Sequence, residues 1–262
     1  MTPSDSQSAL RIAVAAAQAA GLVLTRGFRD AEKGARTKGH PNDPVTIYDH
    51  AAERAIVRVL AVDCPDDGIL SEESVASNGA SGRRWIVDPL DGTSNFLAGI
   101  PHFCVSIALT DEAGVALGCV HDPLRGETFT VVRGGGASLN GRRISVSHRS
   151  TLDGAVLGVG LSYHPQQRAQ LVGQLPPLLS RAGVLRTFGS AALDLAYVAA
   201  GRFDGAWYLA LDAWDVAAAA LLVEEAGGQT TDLRGDPSDD PRTGIAASNG
   251  RIHNAFLHAL AS

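Results

Sequence analysis

The chain is short of everything that would tie it to zinc, to disulfides or to a membrane. Its 262 residues hold three cysteines, Cys64, Cys104 and Cys119. They stand far apart and none belongs to a C-x-x-C pair, so zinc and dithiol chemistry have no motif to rest on. Buried, reduced thiols are the expectation. No uncharged run approaches the ~20 apolar residues that span a bilayer. The Ala-rich segment from Ala9 to Leu24 is interrupted by Arg11 and Gln18 and has no cleavable pattern, so neither a signal peptide nor a membrane partner is expected. A cytoplasmic location follows as an expectation. Basic residues are in deficit too, with 22 Lys and Arg against 28 Asp and Glu and a formal charge of -6. Nucleic acids demand clustered cations, so a nucleic-acid partner is not expected. A small anionic substrate stays open, because bound divalent cations invert the local field. Also missing are a G-x-S-x-G elbow, a P-loop and a D-x-D-x-D-G calcium loop. There is no internal repeat and no low-complexity linker.

What is present is a chain with 45% apolar residues, enough to bury a sizeable core without staples. Residues 1–8 read as a polar lead. Helical spacing covers 9–28, a polar loop covers 29–45, and a second helix is predicted from Thr46 to Val62. Strand signals follow at Gly68–Leu70, Trp85–Val87, His102–Leu109, Val115–Val120 and Thr128–Val132. Asn140-Gly141 predicts a hairpin turn. The second half alternates: strands at Ala155–Leu161, Val184–Phe188, Gly205–Leu209, Gln229–Leu233 and Ile245–Ala247, with helices at Gln166–Arg181, Ala191–Ala200, Ala213–Ala226 and Asn254–Leu260. The fold class expected is layered α/β with mixed sheets, in one unit with two structural halves, about 1–148 and 149–262.

The strongest local signal is Trp85-Ile86-Val87-Asp88-Pro89-Leu90-Asp91-Gly92-Thr93. An apolar strand ends in two carboxylates three residues apart. Gly92 then permits a tight turn into a short helix from about Thr93. Carboxylates beside helix N-terminal amides suit cations on the former and a phosphate on the latter. A plain Asp-Pro-x-Asp-Gly turn explains the same letters. Glu72 and Glu73 follow a strand and read equally well as a solvated pair. Asp49 lies three residues after Thr46, and Asp215 three after Asp212, where a capping box accounts for each. Jointly, these carboxylates gather at element ends and none falls at a helix centre. That pattern points to hard-oxygen chemistry and Mg²⁺, since Zn²⁺ would want His or Cys nearby.

Taken together, the blocks Asp43-Pro44-Val45-Thr46-Ile47-Tyr48-Asp49, Ile69-Leu70-Ser71-Glu72-Glu73-Ser74, Trp85 to Phe96, Gly189-Ser190-Ala191-Ala192, Trp214-Asp215-Val216-Ala217-Ala218 and Glu225-Ala226-Gly227-Gly228 resemble the inositol monophosphatase family in order and spacing. The resemblance covers nearly the whole chain and looks closest to the bacterial inositol-1-monophosphatases. It implies an αβαβα sandwich, two or three Mg²⁺ ions per site, sensitivity to lithium and a homodimer. By matching positions it implies that Glu72, Asp88, Asp91 and Asp215 hold metal through side chains and Leu90 through its carbonyl. Asp49 would hold a water at the metals, and Thr93 with Glu72 would orient the attacking water. Gly92 and Thr93 would offer amides to the phosphate, with Asp91, Lys38, Gly189, Ser190 and Ala191 also on the substrate side. The sequence departs from the family at two places. Ser71 replaces the usual glycine of Gly-Glu-Glu, and Tyr208 stands where inositol-specific members carry a glutamate that contacts substrate hydroxyls.

The function implied is Mg²⁺-dependent hydrolysis of a small phosphorylated metabolite, first of all inositol 1-phosphate, to alcohol and inorganic phosphate. Uncatalysed phosphate-monoester hydrolysis is slow enough that accelerations up to ~10²¹ are needed, and two metal ions about 4 Å apart can supply both nucleophile and leaving-group stabilisation. The same chemistry on histidinol phosphate, fructose 1,6-bisphosphate or a nucleotide 3′-phosphate is the alternative. A non-catalytic binding or regulatory protein on this fold is a second one.

Overall fold

The computed structural model describes residues 2–38, 43–74, 76–162, 165–237 and 240–262, with Pro3 by its backbone alone. Helix α1 (Pro3–Gly27) starts well before residue 9. The residues read as a polar lead include its cap. The Thr2 hydroxyl accepts from the Asp5 amide, and the Asp5 carboxylate accepts from the Thr2 N–H, with Pro3 in the first turn. By length and composition the stretch Ser4–Phe28 could cross a membrane, despite its arginines. In this fold its Ala13, Ala16, Ala17, Ala20 and Leu24 are buried, the behaviour of a core helix.

The polar segment after α1 is not all loop. Two short strands, β1 (Arg36–Thr37) and β2 (Pro44–Val45), pair antiparallel ahead of α2 (Ile47–Asp63). A seven-stranded sheet follows: β3 (Gly68–Ser71), β4 (Arg84–Asp91), β5 (Cys104–Asp111), β6 (Gly114–Asp122), β7 (Glu127–Val132), β8 (Gly136–Leu139) and β9 (Arg142–Arg143), adjacent in that order. Only β3 and β4 run parallel. Asn140 (φ 49°) and Gly141 (φ 75°) close the β8–β9 hairpin with both central residues left-handed, the turn that Asn-Gly predicts.

Strand β4 runs beyond the predicted end at Val87 to Asp91. Its register against β5 slips between Asp88 and Asp91. Pro89 sits inside that irregularity, where its missing N–H breaks no ladder bond. The slip aims Asp88 and Asp91 away from simple alternation. The short helix α3 (Thr93–Ala98) follows at once.

The second sheet takes β10 (Val156–Val159), β11 (Val184–Arg186), β12 (Gly205–Tyr208), β13 (Gln229–Thr231) and β14 (Ile245–Ser248) in the order β11-β10-β12-β14-β13. Its helices are α4 (Pro165–Leu179), α5 (Ala191–Ala199), α6 (Ala213–Glu225) and α7 (His253–Leu260). The layers stack as α1/α2, large sheet, α5/α6, small sheet, α4/α7. Sandwiched between two sheets, α5 has all nine residues buried. Its composition, apolar nearly all round, is what that position requires. Gly118 lets α6 press onto the large sheet: a Cβ there would lie 2.8 Å from the Ala218 Cα. Cys104 and Cys119 are buried and Cys64 is half-buried, all three unbridged.

Candidate active site

Asp88 and Asp91 arrive from the end of β4, Glu72 from just after β3, and Asp215 from the first turn of α6. All four line one cavity of about 420 Å³, together with Leu90, Gly92 and Thr93. The parallel pairing of β3 with β4 brings Glu72 beside Asp88, and the α5/α6 layer brings Asp215 in from the other half. Burial raises the pKa of Asp88 well above the carboxylate range, and the charges of Glu72, Asp91 and Asp215 raise it further. Those three are the other side chains that the resemblance implies as metal ligands. Glu72 is pushed up to about 7, first by burial and then by Glu73, against the pull of Lys38. Asp215 is raised by burial and by Asp91 and Glu72.

Several of these carboxylates are already oriented by their surroundings. Asp88 Oδ1 accepts the Leu90 N–H at 2.9 Å, the short bond of an Asp-Pro-Leu turn. Asp215 Oδ2 accepts the Asp212 N–H at 2.8 Å, so the capping interaction is real and leaves the other oxygen for the cavity. Asp91 reaches across the layers. Its oxygens accept from the Ser190 hydroxyl at 2.6 Å, from the Ala192 amide at 2.8 Å and from the Ala191 amide at 3.3 Å, all at the start of α5. The Gly189–Ala192 block thus turns toward Asp91. Ser190 is buried and absent from the cavity lining, whereas Gly189 and Ala191 line it. Ser190 therefore holds a carboxylate, in place of the substrate contact expected of it.

Asp49 does two things at once. Its Oδ2 accepts the Thr46 N–H at 2.8 Å and completes a capping box, while Oδ1 accepts the Thr93 hydroxyl at 3.0 Å. The Thr93 hydroxyl also stands 3.0 Å from the Leu90 carbonyl oxygen, and its single proton serves one acceptor at a time. Gly92, at φ 97°, makes the corner that puts Thr93 there. A Cβ at Gly92 would lie 3.1 Å from the His102 carbonyl oxygen and 3.2 Å from Phe103 Cβ. Lys38 is not part of the cavity lining. Its ammonium lies 2.6 Å from Glu72 Oε1 and 2.5 Å from Glu73 Oε1. Burial works against that charge, yet the two glutamates hold its pKa above the ordinary lysine range.

Among the described residues no three His, Cys, Asp or Glu side chains stand ready-made around one point for a metal ion. Lys38 draws Glu72 to itself, and α5 holds Asp91. The donor chemistry nonetheless fits a hard divalent ion: four carboxylates and a nearby carbonyl, all oxygen, with mutually raised pKa values that a cation would relieve. A cation, the Lys38 ammonium, already lies against one of them.

Tyr208 lines the cavity and Trp207 does not, as strand alternation requires. The Trp207 ring packs on Phe256 in the outer core. The Tyr208 hydroxyl donates to Asp194 Oδ2 at 2.7 Å. Several lining residues were not singled out from the sequence, among them Gly160, Ser162, Gln167, Leu211 and Arg242. Gly160 carried a signal, because a glycine within a strand marks a close approach. Arg242 carried none; it is held by Asp240 at 2.8 Å on the outer rim.

The chain folds as a layered α/β sandwich with a carboxylate centre between its two sheets. The chain belongs to the inositol monophosphatase family, whose sequence model matches residues 5–262. An inositol-1-monophosphatase of Mesorhizobium japonicum is 41% identical over 253 residues, 96% of this chain and 95% of that protein. A Nus factor SuhB of Pasteurella multocida is 40% identical over 253 residues, 96% and 95% of the two chains. The crystal structure of the extragenic suppressor protein suhB from Bartonella henselae superposes with a TM-score of 0.94 at 40% identity, covering 97% of this chain and 98% of that one. The relatives thus carry two kinds of name, one for an enzyme and one for a factor. The exclusion of a nucleic-acid partner, drawn from net charge, gains no support from the second.

Proposed function

We propose that this chain is a Mg²⁺-dependent phosphomonoesterase that hydrolyses small polyol phosphates, inositol 1-phosphate first among them. One observation carries the reading: Glu72, Asp88, Asp91 and Asp215 converge on one cavity beside the Thr93–Asp49 pair. Glu72, Asp88, Asp91, Asp215 and the Leu90 carbonyl would hold two or three Mg²⁺ ions, which when bound supply Lewis acidity and a nucleophile at neutral pH. Lys38 must yield Glu72 for this set to form. The protein's own residues do the positioning. Asp49 fixes the Thr93 hydroxyl. Thr93 and Glu72 orient the attacking water, and the amides of Gly92 and Thr93 at the start of α3 receive phosphate oxygens. Asp91, clamped by α5, keeps its geometry when substrate enters. The rest of the cavity takes the alcohol.

A cytoplasmic homodimer is part of the same reading, as the family resemblance implies. Histidinol phosphate, fructose 1,6-bisphosphate and nucleotide 3′-phosphates remain the competing substrates. A binding role without turnover is the second reading, and the name Nus factor SuhB among relatives favours it. Phosphate release from a panel of small phosphomonoesters, with Mg²⁺ and with chelator, decides between them. Turnover that needs Mg²⁺ and falls by roughly a hundredfold or more in Asp88→Asn and Asp215→Asn supports the enzyme. No release from any ester by the folded wild-type protein refutes it.

A further inference from the structure

Asp194 is the one charged residue in a helix that is buried along its whole length, between Leu193 and Leu195. It is fully buried. Burying a carboxyl group without full pairing costs several kcal/mol. Here the pairing is partial. Oδ2 accepts from the Tyr208 hydroxyl, while Oδ1 has no hydrogen-bond partner and stands 3.9 Å from His102 Nε2, itself unbonded. Every other residue of this helix but Tyr197 is apolar, and what the aspartate does there is accept the Tyr208 proton.

The surroundings are built to keep Asp194 and Tyr208 together. Gly158 and Gly160 lie two apart, on one face of β10 and its extension. A Cβ on Gly160 would fall 2.0 Å from Tyr208 Cε1 and 2.3 Å from Cδ1, so one edge of the ring abuts bare backbone. A Cβ on Gly158 would approach Asp194 Oδ2 to 3.2 Å and the Phe203 ring to 2.9 Å. One glycine thus makes room for the ring and the other for its anchor. The ring forms part of the cavity wall beside Gly160, within electrostatic reach of Asp91 and Asp215.

We infer that Asp194 is a positioning residue: with Gly158 and Gly160 it fixes the Tyr208 ring as a rigid wall against the alcohol part of the substrate, and so sets which alcohols the site accepts. The inference rests on the phosphatase reading. Because the Tyr208 proton is committed to Asp194, the wall offers substrate an aromatic edge and at most an acceptor oxygen. It selects by shape, where a free carboxylate would select by pairing hydroxyls.

The test compares kcat/KM for inositol 1-phosphate and for glycerol 2-phosphate, with Mg²⁺, in wild type, Asp194→Leu, Asp194→Asn and Gly160→Ala. Asp194→Leu keeps the packing and removes the acceptor. Gly160→Ala pushes the ring directly. Both should change the ratio between the two esters by about fivefold or more, mainly through KM. Asp194→Asn still accepts from Tyr208 and should keep the wild-type ratio within about twofold. An unchanged ratio in folded Asp194→Leu and Gly160→Ala overturns the inference. So does an equal loss for both esters, which is what a purely structural role gives, and so does a ratio changed as much by Asp194→Asn as by Asp194→Leu. If wild type hydrolyses neither ester, the ratio is taken between two esters of the wider phosphomonoester panel that it does hydrolyse; if it hydrolyses none of them, the phosphatase reading fails by itself. The anchor is then read from crystal structures, where a Tyr208 ring displaced in Asp194→Leu supports it and an unmoved ring refutes it.

Discussion

Replacing Asp194 by asparagine should stabilise the protein, and the gain should grow with pH. Burial, opposed by the Tyr208 hydrogen bond and assisted by the Asp91 charge, raises the Asp194 pKa from 3.8 to about 7. The folded chain therefore keeps a proton that the unfolded chain releases from about pH 4 upward. Between these pKa values the unfolded state binds fewer protons, so stability falls as pH rises, and the loss is complete above pH 7. At about 1.36 kcal/mol per pKa unit the total is about 4 kcal/mol, of which about 2.5 develops between pH 5 and pH 8. Asparagine keeps an acceptor for Tyr208 and carries no charge at any pH. All other titrating groups are common to the two chains, so the difference in stability isolates this one. Urea unfolding of wild type and Asp194→Asn at pH 5 and pH 8 measures it. With a chain of this size, about 2.5 kcal/mol corresponds to a widening Tm gap of several degrees. Parallel stability curves, or a gap that narrows with rising pH, would refute the picture of a neutral carboxyl held in the core.

The carboxylate centre should announce its metal thermally. Mg²⁺ at about a hundred times its Kd should add about 2.7 kcal/mol by binding the native state alone, and Asp88→Asn should lose most of the Tm shift; a Tm indifferent to Mg²⁺ counts against the ligand set. Gly92→Ala imposes a left-handed backbone on a side chain that crowds His102 and Phe103. It should destabilise the fold by about 1–3 kcal/mol and cut turnover by displacing Thr93, both visible in denaturation and kinetics of the same preparation. Asp49→Asn should lower kcat/KM by about 10- to 100-fold and stability by about 1 kcal/mol, because one carboxylate serves both Thr93 and the α2 cap. Stability loss with intact turnover would reduce Asp49 to a cap. Turnover that rises steadily with Mg²⁺ and ignores millimolar Li⁺ would be unlike the family.

The layered architecture was legible because each layer writes its own pattern. The nearly all-apolar α5 and the short apolar runs of the large sheet's central strands both answer to packing on two sides, and residue spacing and run length record them. The start of α1 was not legible from spacing, because a capping box is polar by nature and looks like a lead. The four carboxylates that line the cavity could be picked out because three sit at or just past element ends and Asp88 lies three residues before one of them. Asp194 could not. It lies mid-helix among leucines and alanines, and nothing local says that a tyrosine fourteen residues on reaches back to it. The double identity of Asp49 also required coordinates: the sequence offered cap or site as alternatives, and two oxygens allow both. The Lys38 contacts depend on how a polar segment lies over Glu72 and Glu73, which spacing does not encode.

The clamp on Asp91 has a kinetic consequence. Asp91 belongs to a strand of the first sheet, and three of its donors stand at the start of a helix about a hundred positions further along the chain. Contacts of such long sequence separation form late, after the loop between them has been closed. During refolding, helix and sheet signals should therefore recover before the centre is geometrically whole. A chain with both sheets formed but not yet docked would look native to far-UV light and still lack an oriented Asp91. Recovery of Mg²⁺ binding then reports the final docking of the two halves, and a mutation that loosens α5 against β4 would lengthen that last phase while leaving the earlier ones untouched.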